Sequence, residues 1–232
     1  MSFREVIWSR SCAPWHACVA SVQNFQTSFG VPMTGNTQPA DLLTQCDSSA
    51  LQTSFATILV VDLEATCANN DPNFEMETIE IGACWVGVDG RVFNRFQSFV
   101  RPVANSVLTE FCSRLTGITQ ADVDAAPHFP VAADALRVFV AKHQQPNSMW
   151  VSWGEWDRKQ LDRDSARHGV TAPIALKHEN LKRRFAKARR IGKEVGMAKA
   201  CELVGLTLAG THHRALDDAL NIARLLPWVF GG

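Results

Sequence analysis

Apolar and polar positions change rhythm sharply along this chain. Up to residue 54 they show little periodicity: the stretch is rich in Ser, Thr, Gln and Asn and is interrupted by Pro32, Gly35 and Pro39. Such a segment buries too little apolar surface to offset its conformational entropy. Residues 1–54 are therefore expected to be a poorly ordered extension, and 55–232 the folded domain. From Thr57 the pattern becomes regular. Ile58-Leu59-Val60-Val61 is a continuous apolar run inside an expected strand over 57–63, the mark of burial on both faces. Two more strands are expected at 78–88 and 91–101, joined by Asp89-Gly90 as a two-residue hairpin. Alternation puts Ile79, Ile81, Ala83 and Trp85 on one face, and Pro102 ends the third strand.

Helical spacing takes over downstream. Short helices are expected around 109–115 and 119–125, and a longer amphipathic one from Phe129 to Lys142. Met149–Ser152 reads as a short apolar strand, and Gly154 opens a helix running to His168, with Gly169 as its stop. Further helices are expected at 178–190 and 194–204. The last runs from His213 to Val229, with Leu216, Leu220, Ala223 and Leu226/Pro227 inward. Three antiparallel strands followed by helix–strand–helix units specify an α/β domain with one mixed sheet flanked by helices.

Length and composition narrow this picture. At 232 residues and 46 % apolar, the chain has material for one core plus an extension. Its formal net charge is zero, so no overall field draws in nucleic acid, but the charge is unevenly spread. Residues 158–193 hold twelve Lys and Arg against three acids, whereas 62–134 is acid-rich. An acidic half beside a basic half suits an anionic polymer that must cross metals; solvated helix faces would give the same count. Seven cysteines without a Cys-x-x-Cys pair point to reduced thiols in a cytoplasmic protein. No apolar run reaches the ~18–20 residues that span a membrane, so no membrane partner is expected. Arg4 and Arg10 precede no clean apolar stretch, so a secretory leader is not expected, while an organelle-type leader stays open.

The chemistry starts at the end of the first strand. Asp62 and Glu64, spaced i, i+2, point to the same face with Cα atoms roughly 6–7 Å apart. Two acids held there repel each other unless one is neutral or a cation sits between them, which makes a divalent-metal site the economical reading. Asp157 lies at the start of a helix in Trp153-Gly154-Glu155-Trp156-Asp157, and taken alone it equally suits an acid favoured by the helix dipole. In His212-His213-Arg214-Ala215-Leu216-Asp217-Asp218-Ala219 a His precedes an Asp by five residues in two registers, His212 with Asp217 and His213 with Asp218. The second is preferred, because Ala215 and Ala219 then flank the site and permit close packing.

Together these blocks resemble the DEDDh branch of the DnaQ-like 3′→5′ exonucleases, which have an RNase H-like fold, and within it the Eri-type exoribonucleases. Asp62-Leu63-Glu64-Ala65-Thr66-Cys67 is similar to the first motif, Trp156-Asp157 to the second, and His213 to Asp218 with Asn221-Ile222-Ala223-Arg224 to the third. Phe96 to Pro102 and Phe111 to Thr119 resemble the connecting segments, so the likeness spans about residues 57–229. A sister branch has a tyrosine four positions before the last Asp; here that position is Arg214, and the chain contains no tyrosine. The resemblance implies that Asp62, Glu64, Asp157 and Asp218 bind two Mg²⁺ or Mn²⁺ ions and that His213 deprotonates the attacking water. It implies release of nucleoside 5′-monophosphates from the 3′ ends of single-stranded RNA.

The backbone at Leu63, Glu64 and Ala65, with Thr66 and His213 nearby, would hold the terminal nucleotide. Phe111, Leu115 and Trp156 are candidates to stack on or wedge the last bases. The run Lys182-Arg183-Arg184…Lys187…Arg189-Arg190 would grip the upstream phosphates. Residues 1–54 lack the periodicity of the SAP-type module that larger Eri-type enzymes carry, which favours short single-stranded RNA over structured targets. A DNA-end exonuclease, a non-catalytic RNA-binding module on the same fold and a metal hydrolase unrelated to nucleic acid are the competing readings.

Overall fold

The computed structural model describes residues 57–69, 71 and 73–231; the extension expected over 1–54 lies outside the described residues. The chain folds as β1 (Ile58–Ala65), β2 (Thr78–Val86), β3 (Val92–Phe99), α1 (Glu110–Thr116), α2 (Gln120–Asp124), α3 (Phe129–His143), β4 (Met149–Ser152), α4 (Trp156–His168), β5 (Lys177–Asn180), α5 (Leu181–Ala188), α6 (Met197–Leu203), α7 (Ala215–Leu225) and α8 (Pro227–Phe230). One five-stranded sheet has the order β3-β2-β1-β4-β5. β1, β2 and β3 pair antiparallel, while β4 and β5 add in parallel beside β1. The mixed sheet flanked by helices is the fold class expected from the pattern of elements.

Parity along β1 decides what each face carries. Ile58 and Val60 join Cys84, Val86 and Val151 in a core with α5, α6 and α7 through Leu181, Phe185, Ala200, Ala219 and Ile222. Leu59, Val61 and Leu63 join Ile81, Ala83 and Trp85 in a second core with α3 and α4, through Phe129, Leu136 and Leu161. Side chains alternate along a strand, so Asp62 and Glu64 project to the α7 side, at the end of the sheet where the parallel strands β1, β4 and β5 finish.

Several boundaries differ from expectation for identifiable reasons. The β2–β3 connection is longer than a two-residue hairpin. Gly87 N–H donates to the Arg91 carbonyl at 3.0 Å, and a bulge at Trp85/Val86 ends the ladder early. Asp89 accepts from Arg91 N–H at 3.0 Å, and Gly90 takes φ 79°, so the Asp-Gly pair forms the loop tip. Residues 178–180, expected to begin a helix, belong with Lys177 to the edge strand β5. Its sequence Lys-His-Glu-Asn has no strand signature, and only parallel pairing with β4 recruits it. Asn180 then caps α5 by accepting from Arg183 N–H.

The last helix does not start at His213. His213 adopts a left-handed turn with φ 65°, α7 begins at Ala215, and Pro227 opens the separate α8. The inward side of α7 is Ala215, Ala219, Ile222, Ala223 and Leu225 instead of the expected Leu216 and Leu220, which are only half-buried.

Candidate active site

Two acids of β1 meet a third, distant in sequence, at the open end of that strand. Oxygen atoms of Asp62, Glu64 and Asp218 lie within 4.8 Å of one another. Asp157, 5 % exposed at the start of α4, accepts a hydrogen bond from Leu63 N–H at 3.2 Å, which ties α4 to the same strand end. All four line one cavity of about 450 Å³, together with His212, His213, Leu63, Ala65, Leu115 and Trp156.

Close packing of α7 on β2 makes this convergence possible. Asp62 pairs with Gly82 in the sheet register, and a Cβ on Gly82 would lie 2.1 Å from the Ala215 carbonyl carbon. Only glycine lets the first turn of α7 lie against the sheet there, and that turn carries Asp218. Asp218 is held by His213 N–H at 3.0 Å and by His212 Nδ1 at 2.9 Å. The left-handed turn at His213 presents both the backbone N–H and the ring to the cavity. A non-glycine residue in that conformation costs about 1–3 kcal/mol and recurs at functional sites.

Electrostatics show how far this cluster is from self-sufficient. Burial pushes the Glu64 carboxyl up to about 8, with Asp218 and Glu80 adding to the shift. Burial raises Asp62 well above the usual carboxylate range, reinforced by Asp157 and Glu64. Asp157 is raised to about 6, again by burial, against hydrogen bonds that favour its charge. Asp218 is raised by burial as well. Four carboxyls that resist ionising side by side, with oxygen atoms converging on one space, form a donor set suited to hard divalent cations. His213 is shifted the other way: burial and the adjacent His212 ring, 4.0 Å away, lower its pKa and favour the neutral imidazole.

The expected terminal-nucleotide residues divide. Leu63, Glu64, Ala65, Leu115, Trp156 and His213 line the cavity, with Leu115 and Trp156 more than a third exposed. Thr66 is buried, and its hydroxyl accepts from Glu77 N–H at 2.9 Å, so it braces the strand end. Phe111 is half-buried on α1, one turn before Leu115, and is not among the cavity-lining residues.

Sequence reading missed Glu80, Arg214 and Gln97. Glu80 is fully buried opposite Glu64 and accepts from Arg214 Nε at 3.1 Å, Arg214 Nη2 at 3.0 Å, Ala215 N–H at 3.1 Å and the Gln97 amide. A fifth acid is thus paired with a guanidinium beside the cluster and clamps the His213–Ala215 turn to β2. The available signal was a charged residue inside Thr-Ile-Glu-Ile-Gly, on the face opposite Ile79 and Ile81. His212 was set aside with Asp217, yet it contacts Asp218, while Asp217 turns back to cap Thr211 N–H at 2.8 Å.

A mixed sheet with acids gathered at the end of its central strand defines a nuclease-type centre. Residues 59–226 match the exonuclease (RNase T) family, to which this chain belongs as a DEDDh, Eri-type member. It is similar to ERI1 exoribonuclease 2 of Homo sapiens, 29 % identical over 75 % of this chain but 28 % of that protein. The 3′-5′ exonuclease eri1 of Schizosaccharomyces pombe is 29 % identical over 77 % of this chain and 69 % of its own length. The probable 3′-5′ exonuclease KapD of Bacillus subtilis is 31 % identical over 74 % of this chain and 83 % of its own length. Among solved structures, the nuclease domain of 3′hExo bound to rAMP superposes with a TM-score of 0.67 at 28 % identity, covering 75 % of this chain and 90 % of that one.

Proposed function

We propose that this protein is a metal-dependent 3′→5′ exoribonuclease that releases nucleoside 5′-monophosphates from single-stranded RNA. The observation that carries the reading is the convergence of Asp62, Glu64 and Asp218 within 4.8 Å, with Asp157 buried beside them. Two Mg²⁺ or Mn²⁺ ions held by these four residues would supply charge neutralisation and water activation. His213 takes the proton from the attacking water. Burial favours its neutral form, and its ring nitrogens form no hydrogen bond among the described residues, whereas His212 Nδ1 already contacts Asp218. The backbone at Leu63–Ala65 seats the terminal sugar and base, and Leu115 and Trp156 flank the bases as apolar walls. RNA is preferred over DNA here because relatives that share the architecture are named exoribonucleases. The described cysteines are free, which fits a reducing, cytoplasmic location.

The test is a time course on 5′-labelled single-stranded RNA and DNA of one sequence, with Mg²⁺, Mn²⁺ or EDTA. A one-nucleotide ladder shrinking from the 3′ end of RNA, abolished by EDTA and by Asp62→Asn, is the expected result. A ladder on DNA alone overturns the substrate assignment. Binding without any ladder overturns catalysis.

A further inference from the structure

The acid-lined cavity contains no lysine or arginine among its lining residues, although any strand ending there brings a phosphate with every nucleotide. A second cavity of about 860 Å³ lies near it. It is bounded by the end of β5, by α5 with the turn after it, and by α8, and its charged lining is Glu155, Glu179, Arg183, Arg184, Lys187 and Arg190. We infer that this groove is the seat of the upstream sugar–phosphate backbone of the single strand whose 3′ end is processed at the acid cluster. The inference rests on the exonuclease reading above and adds a place to it.

Three observations carry the assignment. Both carboxylates in the groove are already matched, Glu179 by Arg184 and by Lys177 at 3.9 Å, and Glu155 by Arg158 at 3.3 Å. Arg184 also lies over the Phe230 ring at 4.1 Å, and Arg183 pairs with Glu194 at 3.4 Å. Lys187 and Arg190 are exposed and form no ion pair among the described residues, so they are the cations available to phosphates. Arg190 is held in a left-handed conformation, φ 52°, at the turn that follows α5.

The second observation is continuity. Glu155 lies two residues before Asp157. Trp153 lines the acid cavity, packs against Phe185 of α5 at 5.7 Å and donates to the Val195 carbonyl at 3.0 Å. Thirdly, α5 lies on the sheet face to which Asp62 and Glu64 project, and β5 is two strand spacings, about 10 Å, from β1. The alternative exit past Trp156 offers Arg163 and Arg167. Arg167 is bound to Asp164 and the Met76 carbonyl, and Arg163 to Gln160, so that side has less free charge.

The decisive comparison is wild type against Lys187→Ala/Arg190→Ala, two exposed positions away from the acid cluster. Binding of a fluorescent 20-mer RNA is measured in EDTA across a salt series, and kcat and KM are measured in Mg²⁺ on the 20-mer and on a dinucleotide. The expected result is about tenfold weaker 20-mer binding, with a salt slope reduced by about 1.4 for two lost phosphate contacts. KM should rise on the 20-mer alone, with kcat and dinucleotide turnover unchanged. Unchanged 20-mer binding, or equal damage on the dinucleotide, overturns the groove. If the wild type binds the 20-mer but hydrolyses neither substrate, the exonuclease reading fails while the EDTA titration still decides the groove.

Discussion

Replacing Arg214 with methionine should destabilise the fold as a buried-charge lesion, far beyond a surface ion pair. Glu80 has no side-chain exposure, and Arg214 is 27 % exposed, so the pair sits at the edge of the interior. The substitution keeps an apolar stem beside Phe99, over which the guanidinium now lies at 5.2 Å. It removes the two guanidinium bonds at 3.1 and 3.0 Å and leaves Glu80 with Ala215 N–H and the Gln97 amide. Charge-assisted bonds contribute about 1.5–3 kcal/mol each, and orphaning one member of a buried pair costs about 3–5 kcal/mol. Partial solvent access at Arg214 puts the loss near the low end, about 3 kcal/mol, because water then partly solvates the carboxylate. For a domain of this size that corresponds to a Tm lowered by about 6–12 °C.

Urea unfolding of the single variant and of Glu80→Gln/Arg214→Met is the assay. The double variant should recover much of the loss, because no orphan charge remains. A single-variant cost below about 1 kcal/mol, the range of exposed ion pairs, would refute the buried clamp, as would a double variant no better than the single.

Three further outcomes are expected. Asp218→Ala should lower kcat by orders of magnitude, whereas Asp217→Ala should chiefly cost the hydrogen bond from Thr211 N–H, about 1 kcal/mol in unfolding; equal loss of activity in both would overturn the choice of register. Gly82→Ala should lower both stability and activity, because its methyl meets the α7 backbone at 2.1 Å; circular dichroism melting and RNA turnover read both, and a wild-type-like variant would show that α7 does not approach β2 so closely. Glu64, at about 8, and Asp157, at about 6, bind protons more tightly folded than unfolded. Their contribution to metal-free stability is therefore complete below about pH 4, where unfolded carboxyls titrate, and is lost as pH rises through 6 and 8. Urea midpoints in EDTA should fall over that window, and saturating Mg²⁺ should flatten the fall; parallel profiles with and without metal would count against the cluster as the cation site.

Period and punctuation located most of this fold. The apolar run at 58–61, alternation along 78–86 and Gly169 at a helix stop are local signals, because burial on one face or both leaves its mark in residue order; the break at Pro227 was available in the same way, yet the last helix was expected to run through it. Asp62 and Glu64 were legible from their i, i+2 spacing at a strand end, whereas Asp157 and Asp218 became candidates only through the ordered motif blocks that resemble the DEDDh exonucleases. The edge strand β5 was not legible, since its polar sequence becomes a strand only through the ladder that β4 offers. Nor was the role of Glu80, because which charge lies opposite Glu64 depends on the β1–β2 register, and which cation answers it depends on where the turn before α7 lands. The two histidines show the division most clearly. Spacing along the chain made His212 and His213 equivalent twins, each five residues before an aspartate. A single left-handed turn at His213, fixed by α7 packing against Gly82, directs Asp218 into the cluster and Asp217 back to its own loop. Sequence sets which side chains are available within a turn or two; convergence over a hundred residues depends on packing distances that no local pattern encodes.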